Sequence, residues 1–445
     1  MDKLRVRVYD VHFGDAILIS VPDKGPDGVE TKHILIDFGN VSLVSGEGGA
    51  DSVFEPVVKD IMDELDGKPL DLYVMTHEHL DHVQGPLYSA LKLNQKLTAR
   101  YAWLTASAAR DYYDEDKHPD AKKKKLAAME TFQNIRRFCL TAFNIKGLDT
   151  DAPQVGDVDA DPGVARTANM LATLLLNNSV AGEELGTAAA PFPPTNSLRT
   201  THCVEFLREI APAENTTYVF RGVDLEGRHP FTEAKFSIWA PEENTAVYYR
   251  PLQPMALGLT MAEAGQQNQA GELVVPKPPP GVDGGAFYDL VEKRRQGVSD
   301  NLLAIDAAAN DTSVVFCMEW RGWKLLFPGD AELRSWRTMS TIQGGVLEPV
   351  HFLKIGHHGS SNATPMDESL DKILPLNRPD DRKRVAVVST YLETYNNVPS
   401  KPVLEELMKR CDEVYCPLAI GAKIDLDKPF INVADRLFVD VEFEG

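Results

Sequence analysis

Long hydrophobic runs are absent from this sequence, and cysteine is scarce. No stretch of about 18 or more apolar residues occurs, which argues against a membrane-spanning helix. The segment Met1–Arg7 alternates charged and apolar residues and lacks the apolar core and cleavage site of an export signal. The five cysteines are odd in number, scattered and without CxxC spacing, which argues against a disulfide framework or a zinc ribbon. We therefore expect a cytoplasmic protein without membrane contact.

Positive charge is in deficit. The chain has 46 Lys and Arg against 66 Asp and Glu, a formal net charge of −20. An acidic surface repels polyanions over a Debye length of roughly 8–10 Å, so nonspecific coating of nucleic acid is disfavoured. Three short basic clusters can still contact a phosphate backbone, although such clusters are more often solvated faces. They are Lys122–Lys125, Lys293–Arg295 and Arg382–Arg384.

The strand and helix signals divide the chain into three parts. Apolar runs such as Leu72–Met75 predict strands at both ends of the chain, and apolar residues at helical spacing predict a helix over Ser52–Leu65. The stretch 105–232 is instead charge-rich and helical at first, then rich in Gly, Pro and small residues. We predict an α/β fold whose halves, 1–104 and 233–445, are separated by this large mid-chain insertion.

The densest chemical signal lies directly after the strand predicted at Leu72–Met75. His77, His79, Asp81 and His82 fall within six residues. One or two histidines in such a loop are usually incidental, but three histidines and an aspartate at this spacing can hold two divalent cations. Two cations lower the pKa of a shared water and neutralise charge on the group under attack. The cluster predicts a dinuclear hydrolytic centre.

The run Thr76–His82, THEHLDH, resembles the HxHxDH signature of the metallo-β-lactamase superfamily. That resemblance implies an αβ/βα four-layer sandwich with a dinuclear metal site at one edge. Four further motifs resemble the ComEC-type branch, which is named after a DNA-internalisation competence protein. They are Tyr9–Ile19 (DVGQGDAxLI), Ile34–Gly39 (LLIDxG), Leu326–Glu332 (LxxGDAE) and Leu353–Ser360 (LKxxHHGS). The likeness covers residues 1–90 and roughly 233–445 and leaves the insertion unexplained.

The resemblance implies a ligand set for two divalent metal ions, zinc or manganese. The ligands are His77 and His79 for the first metal, Asp81 and His82 for the second, Asp330 bridging both, and His358 completing the second. We expect Asp81 and His357 to take part in catalysis, His357 as a proton donor or a partner of the ligands. The reverse assignment of His357 and His358 stays open at this point.

Supporting and substrate-binding roles follow from the same motifs. Asp37 matches a position that orients the metal loop, and Asp15 is expected to be structural. Lys354 is either a surface residue or a phosphate contact beside the metals. Further hydrogen bonds to a phosphate are expected from Ser360, Ser361 and Asn362, and from Lys401, which stands where a histidine is commoner.

The chain departs from the superfamily pattern in two places. Many members supply a third histidine to the first metal from a Gly-His turn between the two halves of the fold. In this sequence the histidines between those halves are His118, His202 and His229, and none lies in such a turn. The first metal is therefore short of a protein ligand, which favours an exchangeable ion such as Mn²⁺ over tightly held Zn²⁺. His12 and Phe13 also replace a Gly-Gln pair, which we expect to reshape the mouth of the site.

The leading functional hypothesis is a phosphodiesterase or nuclease acting on DNA or RNA, because the ComEC-type branch is associated with DNA degradation. One alternative is hydrolysis of a small ester, lactone, thioester, β-lactam or cyclic nucleotide, since the fold alone does not select the substrate. A second alternative is a partner-controlled effector subunit of a bacterial defence complex, with the insertion at 105–232 as the docking region for a protein partner.

Overall fold

The computed structural model is an α/β sandwich built on two mixed β-sheets. It describes residues 2–25, 28–41, 50–114, 116–142, 145–146, 154–155, 174–175, 200–253, 297–298, 300–342, 345–389, 398–416, 430–432 and 436–445.

The first sheet has seven strands in the order β16-β1-β2-β3-β4-β5-β8. The strands are β1 (Lys3–Tyr9), β2 (Ala16–Gly25), β3 (Gly28–Phe38), β4 (Leu70–Met75), β5 (Ala99–Thr105), β8 (Thr216–Val219) and β16 (Phe438–Glu444). Pairing is antiparallel from β16 to β3 and parallel from β3 to β8. Two short strands, β6 (Ile145–Lys146) and β7 (Gln154–Val155), form a separate two-stranded sheet in the described part of the chain.

The second sheet also has seven strands, in the order β15-β14-β13-β12-β11-β10-β9. The strands are β9 (Ala234–Ala240), β10 (Val315–Trp320), β11 (Trp323–Phe327), β12 (Phe352–Ile355), β13 (Val385–Val388), β14 (Glu413–Cys416) and β15 (Phe430–Asn432). Pairing is antiparallel from β9 to β11 and parallel from β11 to β15. Each sheet therefore carries an antiparallel part and a parallel part.

Helices cover the outer faces of both sheets. The helices are α1 (Ala50–Leu65), α2 (Leu80–Lys92), α3 (Pro119–Ala142), α4 (Thr200–Leu207), α5 (300–310), α6 (Leu333–Thr341), α7 (Glu368–Ile373) and α8 (Lys401–Arg410). Apolar residues of α1, α2 and α4 pack on the first sheet, and those of α6, α7 and α8 pack on the second. A third apolar cluster joins the two sheets face to face, with Val6 and Val74 on one side and Phe316 and Phe352 on the other.

The predicted α/β class is confirmed, with one difference at the insertion. Near the end of the stretch 105–232, α4 packs Cys203, Val204 and Leu207 into the core beside α2, and β8 extends the first sheet by pairing with β5. The predicted insertion therefore ends before residue 232. A four-residue strand between loops gives too short a pattern to recognise in the sequence. Most of 143–199, where the notable Pro-rich and acidic segments occur, lies outside the described residues.

In the described part of the chain, no helix is both long enough and apolar enough to span a bilayer. Four cysteines, Cys203, Cys317, Cys411 and Cys416, are buried free thiols.

Candidate metal centre

The predicted ligands meet where the parallel strands of the two sheets end. His77 and His79 follow β4, and α2 begins at Leu80, so that Asp81 and His82 lie in its first turn. Asp330 follows β11, and the turn His357–Gly359 follows β12. The carboxyl ends of parallel strands are the usual position for a site in α/β proteins, because the loops that leave them converge. Residues far apart in the sequence are thereby brought together.

The loop that carries His77, His79, Asp81 and His82, called the metal loop below, packs against the backbone at Gly39 so closely that only glycine fits there. A Cβ on Gly39 would lie 2.6 Å from the carbonyl oxygen of Asp81 and 2.5 Å from the amide nitrogen of His82. The amide of Asp15 donates to that same Asp81 carbonyl at 3.1 Å. The glycine after β3 therefore lets the first turn of α2 pack directly against the end of that strand.

Asp37 lies beneath the loop and fixes the orientation of His82. Its carboxylate accepts hydrogen bonds from the Thr76 amide at 2.8 Å and from Thr76 Oγ1 at 2.6 Å. Its Oδ2 is also 2.8 Å from Nδ1 of His82. A proton on Nδ1 satisfies this contact, which leaves the Nε2 lone pair of His82 facing the other ligands.

Two clusters of potential ligands share Asp330. His77, His82 and Asp330 form one, and Asp81, Asp330 and His358 form the other, with the ligand atoms of each cluster within 4.8 Å of one another. The separations include 3.3 Å from His82 Nε2 to Asp330 Oδ2 and 3.6 Å from His358 Nε2 to Asp81 Oδ2. His82 is also 3.9 Å from Asp81 Oδ1, so it lies between the two clusters. The arrangement suits an aspartate bridging two cations.

The polar atoms of the two ligand clusters are better suited to binding cations than to forming hydrogen bonds with one another. His82 Nε2 and His358 Nε2 are buried and have no hydrogen-bond partner in the described part of the chain. His358 Nδ1 faces the Ser389 carbonyl at 3.2 Å, which fixes its proton on Nδ1 and turns the Nε2 lone pair toward the carboxylates. A lone pair facing a carboxylate is repulsive unless a cation lies between them. The donor set of imidazoles and carboxylates is that of zinc or manganese.

The electrostatics of the cluster also call for positive charge. Burial lowers the pKa of His82, but the carboxylates of Asp330, Asp81 and Asp37 outweigh it and raise that pKa well above its ordinary value. Burial raises the pKa of Asp330, yet the nearby histidines hold it well below its ordinary value. Burial and the neighbouring imidazoles lower the pKa of His77, which keeps this ring neutral and able to bind a cation.

His79 faces two different partners. Its Nδ1 lies 3.1 Å from Nε2 of His77, close to the roughly 3.3 Å that separates two nitrogens bound to one tetrahedral zinc at about 2.0 Å each. Its Nε2 lies 3.7 Å from Oδ1 of Asp306, a buried residue of α5. Asp306 was not predicted from the sequence, because it belongs to no motif and lies more than 200 residues from the loop it faces.

Lys354 is neither a surface residue nor available to a phosphate, so both sequence-based interpretations were wrong. It is 1% exposed, and its Nζ donates to Asp15 Oδ2 at 2.8 Å. The Ser389 hydroxyl donates to the other oxygen of Asp15. A lysine on an inner strand has no route to solvent, and its charge is neutralised by a carboxylate from the opposite sheet.

A cavity of about 850 Å³ lies beside the metal cluster, and His358 is the predicted ligand that lines it. His357 lines it, with Nδ1 3.7 Å from Oε1 of Glu332 and its amide donating to Asp330 Oδ1 at 2.8 Å. Burial raises the pKa of Glu332 to about 7.

The predicted contacts Ser360, Ser361 and Asn362 also line the cavity. Lys401 does not; its side chain is 62% exposed and lies 3.6 Å from Glu405.

Phe13 stands at one of the two positions where the sequence has His12 and Phe13 instead of the Gly-Gln pair of the resembled motif. It is 3% exposed, and its ring centroid lies 4.0 Å from that of His358. It also forms part of the cavity lining. The aromatic residue at the Gln position of the resembled motif therefore packs on a predicted ligand and forms part of the cavity wall.

Comparison with known proteins gives no identification. No protein-family model matches the chain, and no curated protein is significantly similar to it.

Proposed function

We propose that this chain is a metal-dependent hydrolase of the metallo-β-lactamase superfamily, close to its ComEC-type branch, and that it cleaves phosphodiester bonds in nucleic acid. The observation that carries the proposal is the pair of ligand clusters that share Asp330. The two-sheet sandwich with helices on both outer faces is compatible with the four-layer fold of that superfamily. The motif order along the chain supports the same assignment.

The residues supply two distinct functions at the site. Two divalent ions, when bound, lower the pKa of water and neutralise charge on the scissile group. Asp81 lies in the cluster with an oxygen toward His358, and its carboxylate can accept the proton of the attacking water. His357 lies on the cavity side, with Nδ1 toward Glu332, so that its Nε2 is the atom available to protonate the leaving oxygen.

An anionic substrate is supported by arginines around the cavity. Arg250, Arg334 and Arg337 all contribute to its lining. Arg334 and Arg337 lie three apart on α6, on one face of the helix, and neither forms an ion pair with any residue that the structure describes. Arg250, in contrast, lies 4.0 Å from Oε2 of Glu332. In a chain of net charge −20, two arginines that form no ion pair with the described residues, beside a candidate metal cluster, suit phosphate groups. The acidic net charge disfavours binding of nucleic acid to the surface as a whole, but these arginines provide local positive charge at the cavity.

Hydrolysis of a small molecule is the second candidate. A cavity of about 850 Å³ lies within the range of sites for small ligands, and Phe13 gives it an apolar wall. An ester, lactone or cyclic nucleotide would be bound in such a cavity, whereas a polynucleotide would extend beyond it.

The deciding experiment compares substrate classes on one preparation. Purified protein is assayed with Mn²⁺, Mg²⁺ or Zn²⁺ against single- and double-stranded DNA, RNA, bis-nitrophenyl phosphate and a panel of chromogenic esters, lactones and β-lactams. The proposal expects turnover of DNA or RNA and of bis-nitrophenyl phosphate only, lost in Asp330→Ala, whereas turnover of bis-nitrophenyl phosphate without cleavage of nucleic acid would favour the second candidate. Equal activity in Asp330→Ala would identify a contaminating nuclease, and turnover restricted to esters or lactones would favour the second candidate.

The arginines supply the substrate-specific arm of the same experiment. Arg334→Ala with Arg337→Ala should raise KM for DNA and reduce its dependence on salt, with much less effect on bis-nitrophenyl phosphate. Lys383→Ala with Arg382→Ala, which removes charge from a basic cluster that does not line the cavity, is the matched control. Equal effects of both double variants would argue against a phosphate-binding role for α6.

A further inference from the structure

Asp306 faces the metal loop from a helix that carries none of the predicted ligands. It is 4% exposed, and its Oδ1 lies 3.7 Å from Nε2 of His79. On the opposite side of the same ring, His79 Nδ1 lies 3.1 Å from Nε2 of His77. The His79 ring therefore lies between a carboxylate and a second imidazole, with one nitrogen facing each.

We propose that Asp306 is a positioning residue that holds His79 in the tautomer needed to bind the first metal. The inference rests on the proposed function, because it requires that His77 and His79 bind a cation. A neutral imidazole carries one proton, so a carboxylate that attracts it to Nε2 leaves the Nδ1 lone pair for the metal. Carboxylates in this position also raise the basicity of a ligand histidine. At 3.7 Å the contact is an ion pair rather than a direct hydrogen bond, so the carboxylate acts on the His79 proton through its charge.

The neighbouring hydrogen bonds favour this tautomer. Thr76 Oγ1 donates its proton to Asp37, so it can only accept from Nδ1 of His77, which is 3.0 Å away. His77 therefore presents a lone pair on Nε2. With a proton on Nε2 of His79, both lone pairs point into the 3.1 Å gap between the two rings. Two converging lone pairs need a cation, and the arrangement of Asp306 and Thr76 produces that convergence.

Asp306 itself is held in place by a buried amide. Its Oδ2 accepts from Nδ2 of Asn310 at 3.3 Å, and the same Nδ2 donates to Oε1 of Glu332 at 3.1 Å. Asn310 is fully buried one turn further along α5. The orientation of the Asp306 carboxylate is therefore set before any metal is bound.

The helix that carries Asp306 is also fixed to the ligand loops through the backbone. Beyond the end of α5, the Val314 amide donates to the Thr76 carbonyl at 2.9 Å. The adjacent Ser313 hydroxyl accepts from the Asp330 amide at 3.1 Å. Two of the three loops that supply predicted ligands are thus bound to the segment that follows Asp306, which keeps the carboxylate in register with His79.

Loss of Asp306 should affect the binding of the two metals differently. The first metal has no third histidine from a Gly-His turn in this sequence, so the orientation of His79 matters more to it than to a site with a full ligand set. His79 lies outside both clusters of closely spaced ligand atoms, but its Nδ1 is 3.1 Å from Nε2 of His77, which belongs to the first cluster, whereas the second is formed by Asp81, Asp330 and His358. Loss of Asp306 should therefore weaken one metal and spare the other.

The test is a titration of Mn²⁺ into metal-free full-length protein, followed by calorimetry and by electron paramagnetic resonance of coupled Mn²⁺ pairs. The wild type should bind two ions. In Asp306→Ala, affinity for one ion should fall about 10- to 100-fold, and the signal of the coupled pair should disappear at metal concentrations that saturate the wild type. Asp306→Asn should be intermediate, because its amide oxygen keeps a partial negative charge toward Nε2. Asp300→Asn, on an exposed acid of the same helix, is the control.

A double variant tests whether Asp306 acts through His79. In a His79→Ala background, Asp306→Ala should have no further effect on metal affinity. Unchanged binding of two ions by Asp306→Ala would overturn the inference and leave the proposed function standing. Equal loss of both ions, with a lower melting temperature of the metal-free protein, would also overturn it in favour of a general structural role. A wild type that binds no metal would contradict the proposed function itself.

Discussion

Lys354 and Asp15 form a buried ion pair that joins the two sheets at the edge where the metal loops meet. The Nζ to Oδ2 distance is 2.8 Å, and the residues are 1% and 2% exposed. Lys354 lies on β12 of the second sheet, and Asp15 directly precedes β2 of the first. Because the amide of Asp15 also donates to the Asp81 carbonyl, the pair connects the sandwich to the ligand loop.

Removal of the lysine alone should cost more stability than removal of both charges. In Lys354→Met, Asp15 keeps a buried charge without its cation, and we expect the free energy of unfolding to fall by about 3–5 kcal/mol. In the double variant Lys354→Met with Asp15→Leu, part of that loss should be recovered. Urea unfolding of the wild type, both single variants and the double variant measures the coupling. Lys401→Met is the exposed control, and a Lys354→Met variant no less stable than it would refute the pair.

Gly39→Ala should displace the metal loop. The added Cβ would lie 2.4–2.6 Å from backbone atoms of Asp81 and His82, which cannot move without shifting the start of α2. We expect a loss of about 1–3 kcal/mol from the strain, together with a marked fall in metal content measured by mass spectrometry. Gly297→Ala, where a Cβ meets nothing in the described structure, should leave both quantities unchanged. Full metal content in Gly39→Ala would show that the close approach is not needed.

The raised pKa of Asp311 should make the free energy of unfolding depend on pH. Burial raises its pKa from 3.8 to about 6, although its carboxylate accepts from the amides of Glu332 at 3.1 Å and Ser335 at 3.0 Å. The folded protein holds this proton more tightly than the unfolded chain. Its stabilising contribution is therefore complete below pH 3.8 and is lost as the pH rises to about 6, by at most about 3 kcal/mol.

The measurement compares wild type with Asp311→Asn, which keeps an acceptor but cannot ionise. Between pH 4 and 6, metal-free wild type should lose stability relative to the variant in urea unfolding. Parallel curves for the two proteins across that range would mean that Asp311 does not titrate there.

The sequence predicted most of the side chains that the structure brings together, with Asp37 beside them, but it did not predict the position of Asp306. His77, His79, Asp81 and His82 are adjacent in the chain, so their spacing alone predicts a cluster. The distant partners Asp330 and His358 were predicted only because each lies in a recognisable motif, and in the structure they share a cluster with Asp81. The alternating and helical patterns likewise predicted the class of the fold but not the role of β8, whose pairing with β5 depends on tertiary contacts.

The residues that were missed or misread act over long range. Asp306 faces His79 from a helix without a motif, and the sequence offers no periodicity that would indicate such a contact. Lys354 was assigned to the surface or to a phosphate because a lysine on a strand is usually exposed, whereas its partner Asp15 is 339 residues away. Contacts of this kind follow from the packing of two sheets, which local patterns do not describe.

His357 and His358 are adjacent, but their side chains have different surroundings, and substitution should separate their effects. Both residues line the cavity, but His358 Nε2 is buried 3.6 Å from Asp81 Oδ2, whereas the side chain of His357 is 21% exposed. His358→Ala should therefore lose about one equivalent of metal by mass spectrometry, together with activity. His357→Ala should retain both ions and lower kcat by about 10²- to 10⁴-fold, as expected for loss of a general acid. Metal loss in His357→Ala with full retention in His358→Ala would reverse the assignment, and it would move the proton donor from the cavity wall to the buried ring beneath Phe13.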